Sequence, residues 1–251
     1  MQLRVAFILN PGLRRIGEKA DDRLQRRLVR FRQRFEHFHP GSNAATLAAV
    51  AHLAQAPGAP WLYLAGSAGS GKSHLLMAAC QAAFAGGRTV QYLPLASLAD
   101  KAAAIRGVAG SEFLALDDLG AIAGDREAEH AMFDVYNRAK AEGATLLFAA
   151  EALPSQLGLG LPDLRSRLGA CQQALIKPLD DAERRAVLRQ QAALRGIELD
   201  DTVLDWLFNR YARDLGALLD LLDRLDQASL AARRKITVPF LRGFLKEEPG
   251  A

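Results

Sequence analysis

The chain has 251 residues, half of them hydrophobic, enough for one large core or two modest ones. No apolar run approaches the roughly 20 residues of a membrane-spanning helix, and the early run VAFIL is too short for a signal peptide, so no membrane association is expected. Cys80 and Cys171 are too few for a disulfide framework, which points to a reducing, cytoplasmic setting. The net charge of +4 is unevenly placed, since residues 1–34 hold ten Lys/Arg and only three Asp/Glu. The basic balance therefore belongs to an N-terminal leader, read as a solvated segment or as an arm that touches nucleic acid.

An Ala-rich stretch near residues 43–57 reads as a helix. WLYLAG (61–66) reads as a buried strand, and SHLLMAACQAAFAGG as the helix that follows, stopped by Gly86 and Gly87. TVQYLPL (89–95), FLALDD (113–118), TLLFAA (145–150) and QALIK (173–177) are further short apolar runs, mostly separated by helical stretches such as AEHAMFDVYNRAKAEG. Strands alternating with helices predict an α/β domain with a parallel sheet over residues 35–177. After Pro178 the pattern is helical only, giving a small all-helical domain over 178–251. DDAE (180–183) has the spacing of a capping box. Val203, Leu204, Leu207, Phe208 and Tyr211 form one apolar face, and Leu215, Leu218, Leu219, Leu222 and Leu225 another. Thr237 and Pro239 open a last helix.

Between the first strand and its helix lies GSAGSGKSH: Gly66, Ser67, Ala68, Gly69, Ser70, Gly71, Lys72, Ser73 and His74. It fits G-x-x-x-x-G-K-[ST], in which glycines let backbone N–H groups face phosphate oxygens ahead of a helix N-terminus. Lys72 would reach the phosphates and Ser73 would hold Mg²⁺, so ADP or ATP is the expected ligand. A carboxylate at a neighbouring strand end completes such a site. Asp117 suits the Mg²⁺ role, and Asp118 suits orienting an attacking water. The five histidines and two cysteines show no metal-site spacing.

A strand, phosphate loop and helix, a DD strand end and a small helical lid together resemble the AAA+ ATPases, and in detail the DnaA initiator clade. RFEHFHPGSNAATLAAV resembles the segment that helps enclose adenine, which implicates Phe35, Phe38, His39, Pro40 and Asn43. GLPDLRSRLG resembles the box carrying an arginine finger, with Arg167 as the matching residue, and YARDLGALLDLLDRLDQ the lid with its sensor arginine, here Arg213. For each arginine the plainer alternative is a surface ion pair. Within the clade, AGDREAEHAMFDVYNR, LGLGLPDLRSRL and DRLDQASLAARRKITVPFLRGFL are most similar to the Hda family, regulatory inactivators of DnaA.

That resemblance implies a nucleotide-loaded regulator that holds ADP and binds the sliding clamp (the β subunit of DNA polymerase III) on DNA. It would supply Arg167 in trans to ATP held by the DnaA initiator and so prevent re-initiation of replication, with at most a weak ATPase of its own. The implied setting is cytoplasmic and nucleoid-associated, and a homo-oligomer is compatible with it. QLRVAF (Gln2, Leu3, Val5, Phe7) fits the family's clamp-binding peptide but lies far upstream of Phe35, whereas QRRLVRF (25–31) has better spacing and a poorer fit. The family's Thr or Ser near the terminal phosphate is replaced by Ala149 and Ala150, leaving Glu151 as the polar group there. The resemblance also sets Arg167 on the far side of the sheet order from the chain's own phosphate loop. The alternative reading is a helicase loader of the same clade, for which the 34 basic-rich residues are a poor helicase-binding domain. A DNA-binding initiator would need a helix-turn-helix after the lid, and the chain stops at Ala251.

Overall fold

Four short, largely apolar runs and a more polar fifth form parallel strands: β1 (Leu62–Ala65), β2 (Val90–Pro94), β3 (Phe113–Asp117), β4 (Thr145–Ala150) and β5 (Gln172–Leu175). Their order across the sheet is β2-β3-β4-β1-β5, every pair parallel. The three inner strands are buried throughout, as expected where helices cover both faces. The structure is a computed structural model that describes residues 34–210, 215–232 and 237–247. The chain divides into two units, Met1–Pro178 and Leu179–Ala251. The α/β class expected from the alternating pattern is the one observed.

In the first unit, side-chain alternation along the strands sorts the helices onto two faces. One face (Leu62, Leu64, Phe113, Ala115, Leu147, Ala149) packs against α1 (Ala44–Gln55) and α2 (Lys72–Ala85). The other (Tyr63, Ala65, Leu114, Leu116, Leu146, Phe148, Ala150) packs against α3 (Lys101–Arg106), α4 (Arg126–Glu142) and α5 (Pro162–Gly169). Local signals set the helix ends. Asp100 and Asp125 accept from Ala103 N–H and Ala128 N–H as N-caps, and Gly86 and Gly143 close α2 and α4. β3 ends one residue before the expected DD terminus, because Asp118 turns into the left-handed region at φ 55°.

The second unit holds α6 (Asp181–Ala193), α7 (Asp201–Arg210), α8 (Leu215–Ala232) and α9 (Val238–Glu247). Asp180 and Glu183 make the capping box read from DDAE, at 2.8 and 2.9 Å. Leu188, Val203, Leu204, Leu207, Leu218, Leu222, Leu225 and Leu241 form its core, while Phe208 and Leu219 pack at its margin. Tyr211 lies outside the described residues. Among the described residues no helix is long and apolar enough to cross a membrane.

Glu129 on α4 is buried at 2% exposure, and its carboxylate accepts from the N–H groups of Gly124 (2.8 Å), Gly160 (3.0 Å) and Leu161 (2.6 Å). Three backbone donors, two of them 31 and 32 residues away, converge on one side chain. Glu129→Ala leaves them without an acceptor and should lower unfolding free energy by about 2–4 kcal/mol, read from urea denaturation, with Glu129→Gln losing less.

Candidate functional site

β1 runs into the glycine loop, and α2 begins at Lys72. Gly71 has φ 98°, and a Cβ built there would lie 2.8 Å from Cε2 of Phe38, so both backbone and packing demand glycine. Gly66 is equally confined, since its Cβ would stand 2.7 Å from the Ile176 carbonyl oxygen. Ser67, Ala68 and Gly69 are exposed at the loop's crown. Ser70 is buried, and its hydroxyl has no hydrogen-bond partner among the described residues. A buried hydroxyl within a glycine loop at a helix N-terminus is a setting that accepts an anion.

Lys72 is 6% exposed, and its ammonium donates to the carbonyls of Gly66 (2.6 Å) and Ser67 (2.8 Å). Burial pulls its pKa below the usual lysine value, against the charges of Asp117, Glu151 and Asp118, which pull it back up. The structure thus gathers Lys72 with the three carboxylates singled out in the sequence. Ser73 follows on the first turn of α2, half-buried. Asp117, 1% exposed, accepts from the Tyr92 hydroxyl (2.7 Å) and from Asp118 N–H (3.0 Å). Burial and the neighbouring Asp117 push the Tyr92 phenol well above its ordinary pKa, so it stays a donor. Ala149 and Ala150 are fully buried, and Glu151 stands exposed just beyond them. Among the described residues no three His, Cys, Asp or Glu side chains group as a metal cage.

The segment ahead of α1 reaches the same loop. Phe38 is buried, its ring 5.5 Å from that of His74, and His74 Nε2 donates to the Arg34 carbonyl at 3.0 Å. Phe35 packs at the edge of this core, His39 is half-buried and Pro40 exposed. Asn43 is tied to the backbone just beyond β5. Its amide donates to the Lys177 carbonyl (3.0 Å) and accepts from Lys177 N–H (2.8 Å), pairing with that backbone as a strand neighbour would.

Arg167 lies in α5, on the face of the sheet opposite the helix that carries Lys72. The expectation from sheet order needs correcting. α5 leads into β5, which pairs directly with β1, so it is the opposite face and not the strand order that separates Arg167 from Lys72's helix. Among the described residues Arg167 forms no ion pair. Gln2, Leu3, Val5, Phe7 and Arg213 lie outside the described residues. Sequence reasoning missed Tyr92, Glu129 and Lys177. Glu129 left one trace, an acid in helical phase with Met132, Phe133 and Tyr136.

Burial lowers the His74 pKa from its ordinary value near 6.5; the Arg34 contact opposes this and His37 adds to it. The folded chain therefore holds the imidazole neutral where the unfolded chain binds a proton. This contribution is fully present above about pH 6.5 and declines as pH falls toward the folded value. His74→Gln keeps a donor for Arg34 and should flatten the fall in stability between about pH 7 and pH 5, measured by denaturant unfolding at each pH.

The sequence matches the family described as the bacterial DnaA ATPase domain over residues 29–173 and the Hda lid domain over 181–245. Domain III of the Thermotoga maritima replication initiation protein DnaA superposes with a TM-score of 0.70 at 21% identity, covering 86% of this chain and 96% of that one. AMPPCP-bound DnaA from Aquifex aeolicus gives a TM-score of 0.62 at 20% identity, covering 80% and 67%. The RuvB Holliday junction branch migration motor of Thermotoga maritima gives 0.54 at 16%, covering 80% and 66%. These likenesses establish the fold, and the first family match spans more than half of the sequence. The chain belongs to the family of bacterial DnaA ATPase domains, and its C-terminal residues match the lid domain of Hda.

Proposed function

We propose that this chain is a nucleotide-loaded AAA+ regulator that uses Arg167 to stimulate ATP hydrolysis on the DnaA initiator and so prevents re-initiation of chromosome replication. The observation that carries the reading is the division of labour within one unit. The glycine loop and its carboxylates occupy one end of the sheet, and Arg167, which forms no ion pair among the described residues, sits on the face away from the loop's helix. An arginine finger in trans adds roughly 10³–10⁵ to hydrolysis on a partner's site and needs no fast active site behind it.

The residues fit Mg²⁺ and a nucleoside diphosphate. The orphaned Ser70 hydroxyl, the confined Gly66 and Gly71, and Lys72 at the helix start suit a phosphate chain. The Ser73 hydroxyl and the Asp117 carboxylate would hold Mg²⁺, a hard cation that takes its remaining oxygens from phosphates and water. Bound Mg²⁺ would neutralise phosphate charge. Phe38, His39 and Pro40 would border the base. Asn43, which bonds the Lys177 backbone, would support that wall, and Arg213 would serve nucleotide binding. Ala149 and Ala150 present no hydroxyl beside Glu151, which supports a weak ATPase and a resident ADP. Asp118 would orient water in whatever slow turnover remains. Gln2, Leu3, Val5 and Phe7 would tether the protein to the DNA-loaded polymerase III clamp in the cytoplasm at the nucleoid. Deletion of residues 1–8 should then abolish clamp binding and leave ADP binding intact.

Lys72→Ala should remove most ADP affinity in calorimetry, since no other loop charge answers the phosphates; unchanged affinity would overturn the phosphate-loop assignment. Arg167→Ala should bind ADP normally, while its stimulation of single-turnover hydrolysis on ATP-loaded DnaA, with clamp and primed DNA, falls at least tenfold, about 1.4 kcal/mol. Normal stimulation by that variant would remove the finger from the mechanism.

A further inference from the structure

The guanidinium of Arg167 is held by aromatic rings. Its central carbon lies 5.2 Å from the centre of the Phe133 ring and 5.5 Å from that of Tyr136. The rings stand three residues apart on α4 and so share one face of that helix. The Tyr136 hydroxyl also donates to the Arg167 carbonyl at 3.3 Å. On the same face, Glu129 takes the N–H groups of Gly160 and Leu161, where α5 begins. α4 therefore grips α5 at its entry and again at the arginine.

The platform is stiff. Tyr136 is buried, edge-on to Trp61 with ring centres 4.7 Å apart and parallel to Phe148 at 6.4 Å, and the Trp61 indole is itself tied to the Ala144 carbonyl at 3.0 Å. Phe133 packs at the margin of the same core. Arg167 itself remains half-buried. A contact built to store the arginine would bury it fully; this one leaves it half-buried against two ring faces. A planar guanidinium suits ring faces as an ammonium does not.

We propose that Phe133 and Tyr136 are positioning residues for Arg167, an aromatic platform that fixes the direction of the guanidinium before a partner docks. A long side chain has rotamer freedom to lose on entering a partner's site, and one already stacked has less. The inference rests on reading Arg167 as a trans-acting finger. It adds that the finger is ordered in the free regulator, by rings of its own chain.

The test compares Phe133→Leu, which keeps apolar volume and loses the ring face, with Phe133→Tyr, which keeps the face. Thermal midpoint and ADP affinity are measured first to establish that both fold. In titrations of DnaA hydrolysis against regulator, Phe133→Leu should lower the maximal rate about two- to fivefold with an unchanged half-saturating concentration, and Phe133→Tyr should restore it. The Arg167 Nε–H resonance should be displaced upfield by the rings in the unmodified protein and return toward the free-arginine position in Phe133→Leu. An unchanged or higher maximal rate in Phe133→Leu, with Arg167→Ala impaired, overturns the platform and leaves the finger standing. A normal rate in Arg167→Ala takes down both. An Arg167 resonance at the free position in the unmodified protein overturns the platform with no partner present.

Discussion

Burying a lysine is costly unless its charge is answered, and the first unit is arranged around the answer that Lys72 receives. Its donors go to two loop carbonyls, Gly66 and Ser67, which can point inward because the loop is built on glycine. Its charge is balanced by Asp117, Asp118 and Glu151, which come from the ends of β3 and β4. Parallel strands end at one edge of a sheet, so the order β3-β4-β1 delivers acids and lysine to the same place. Tyr92, from the next strand outward, then fixes Asp117 with a single hydrogen bond. Each step depends on the strand order, and the strand order depends on both faces being apolar enough to cover.

One helix links that sheet to the rest of the unit. Ala128, Ala131, Met132, Val135 and Ala139 of α4 lie in the core beneath the strands. Glu129, Phe133 and Tyr136 turn toward α5 and the loop before it. A helix that is buried on one stripe and still contacts a second helix must carry polar and aromatic groups at the boundary, and each of these finds a partner there. α5 has eight residues, too few for a stable isolated helix, so its placement is tertiary in origin.

The segment from Phe35 to Asn43 divides its contacts between two places. Phe38 lies against Gly71 and His74, at the phosphate loop. Asn43 instead pairs with the Lys177 backbone, 134 residues away, where the chain leaves β5. Thr46 adds a bond to the Leu175 carbonyl. The start of α1 is thereby sewn to an edge strand whose outer residues Gln172, Gln173 and Leu175 are exposed. A short polar side chain substituting for a missing strand neighbour leaves no periodic mark in a sequence.

What the amino-acid order decides alone are features with short reach. The glycine loop, the five apolar runs, the Asp and Gly helix ends and the Asp180–Glu183 box are written within a few residues of one another, where backbone geometry and capping act. The alternation of strand and helix carries the fold class for the same reason. The hydrogen bond from Tyr92 to Asp117, the N–H groups of Gly160 and Leu161 on Glu129, and the rings that hold Arg167 join residues 25 to 34 positions apart, and only the folded chain brings them together. The face of the sheet that receives α5 was likewise decided in three dimensions. It follows from which alternate side chains of β1, β3 and β4 each helix covers, a choice that local pattern leaves open because both faces of those strands are apolar.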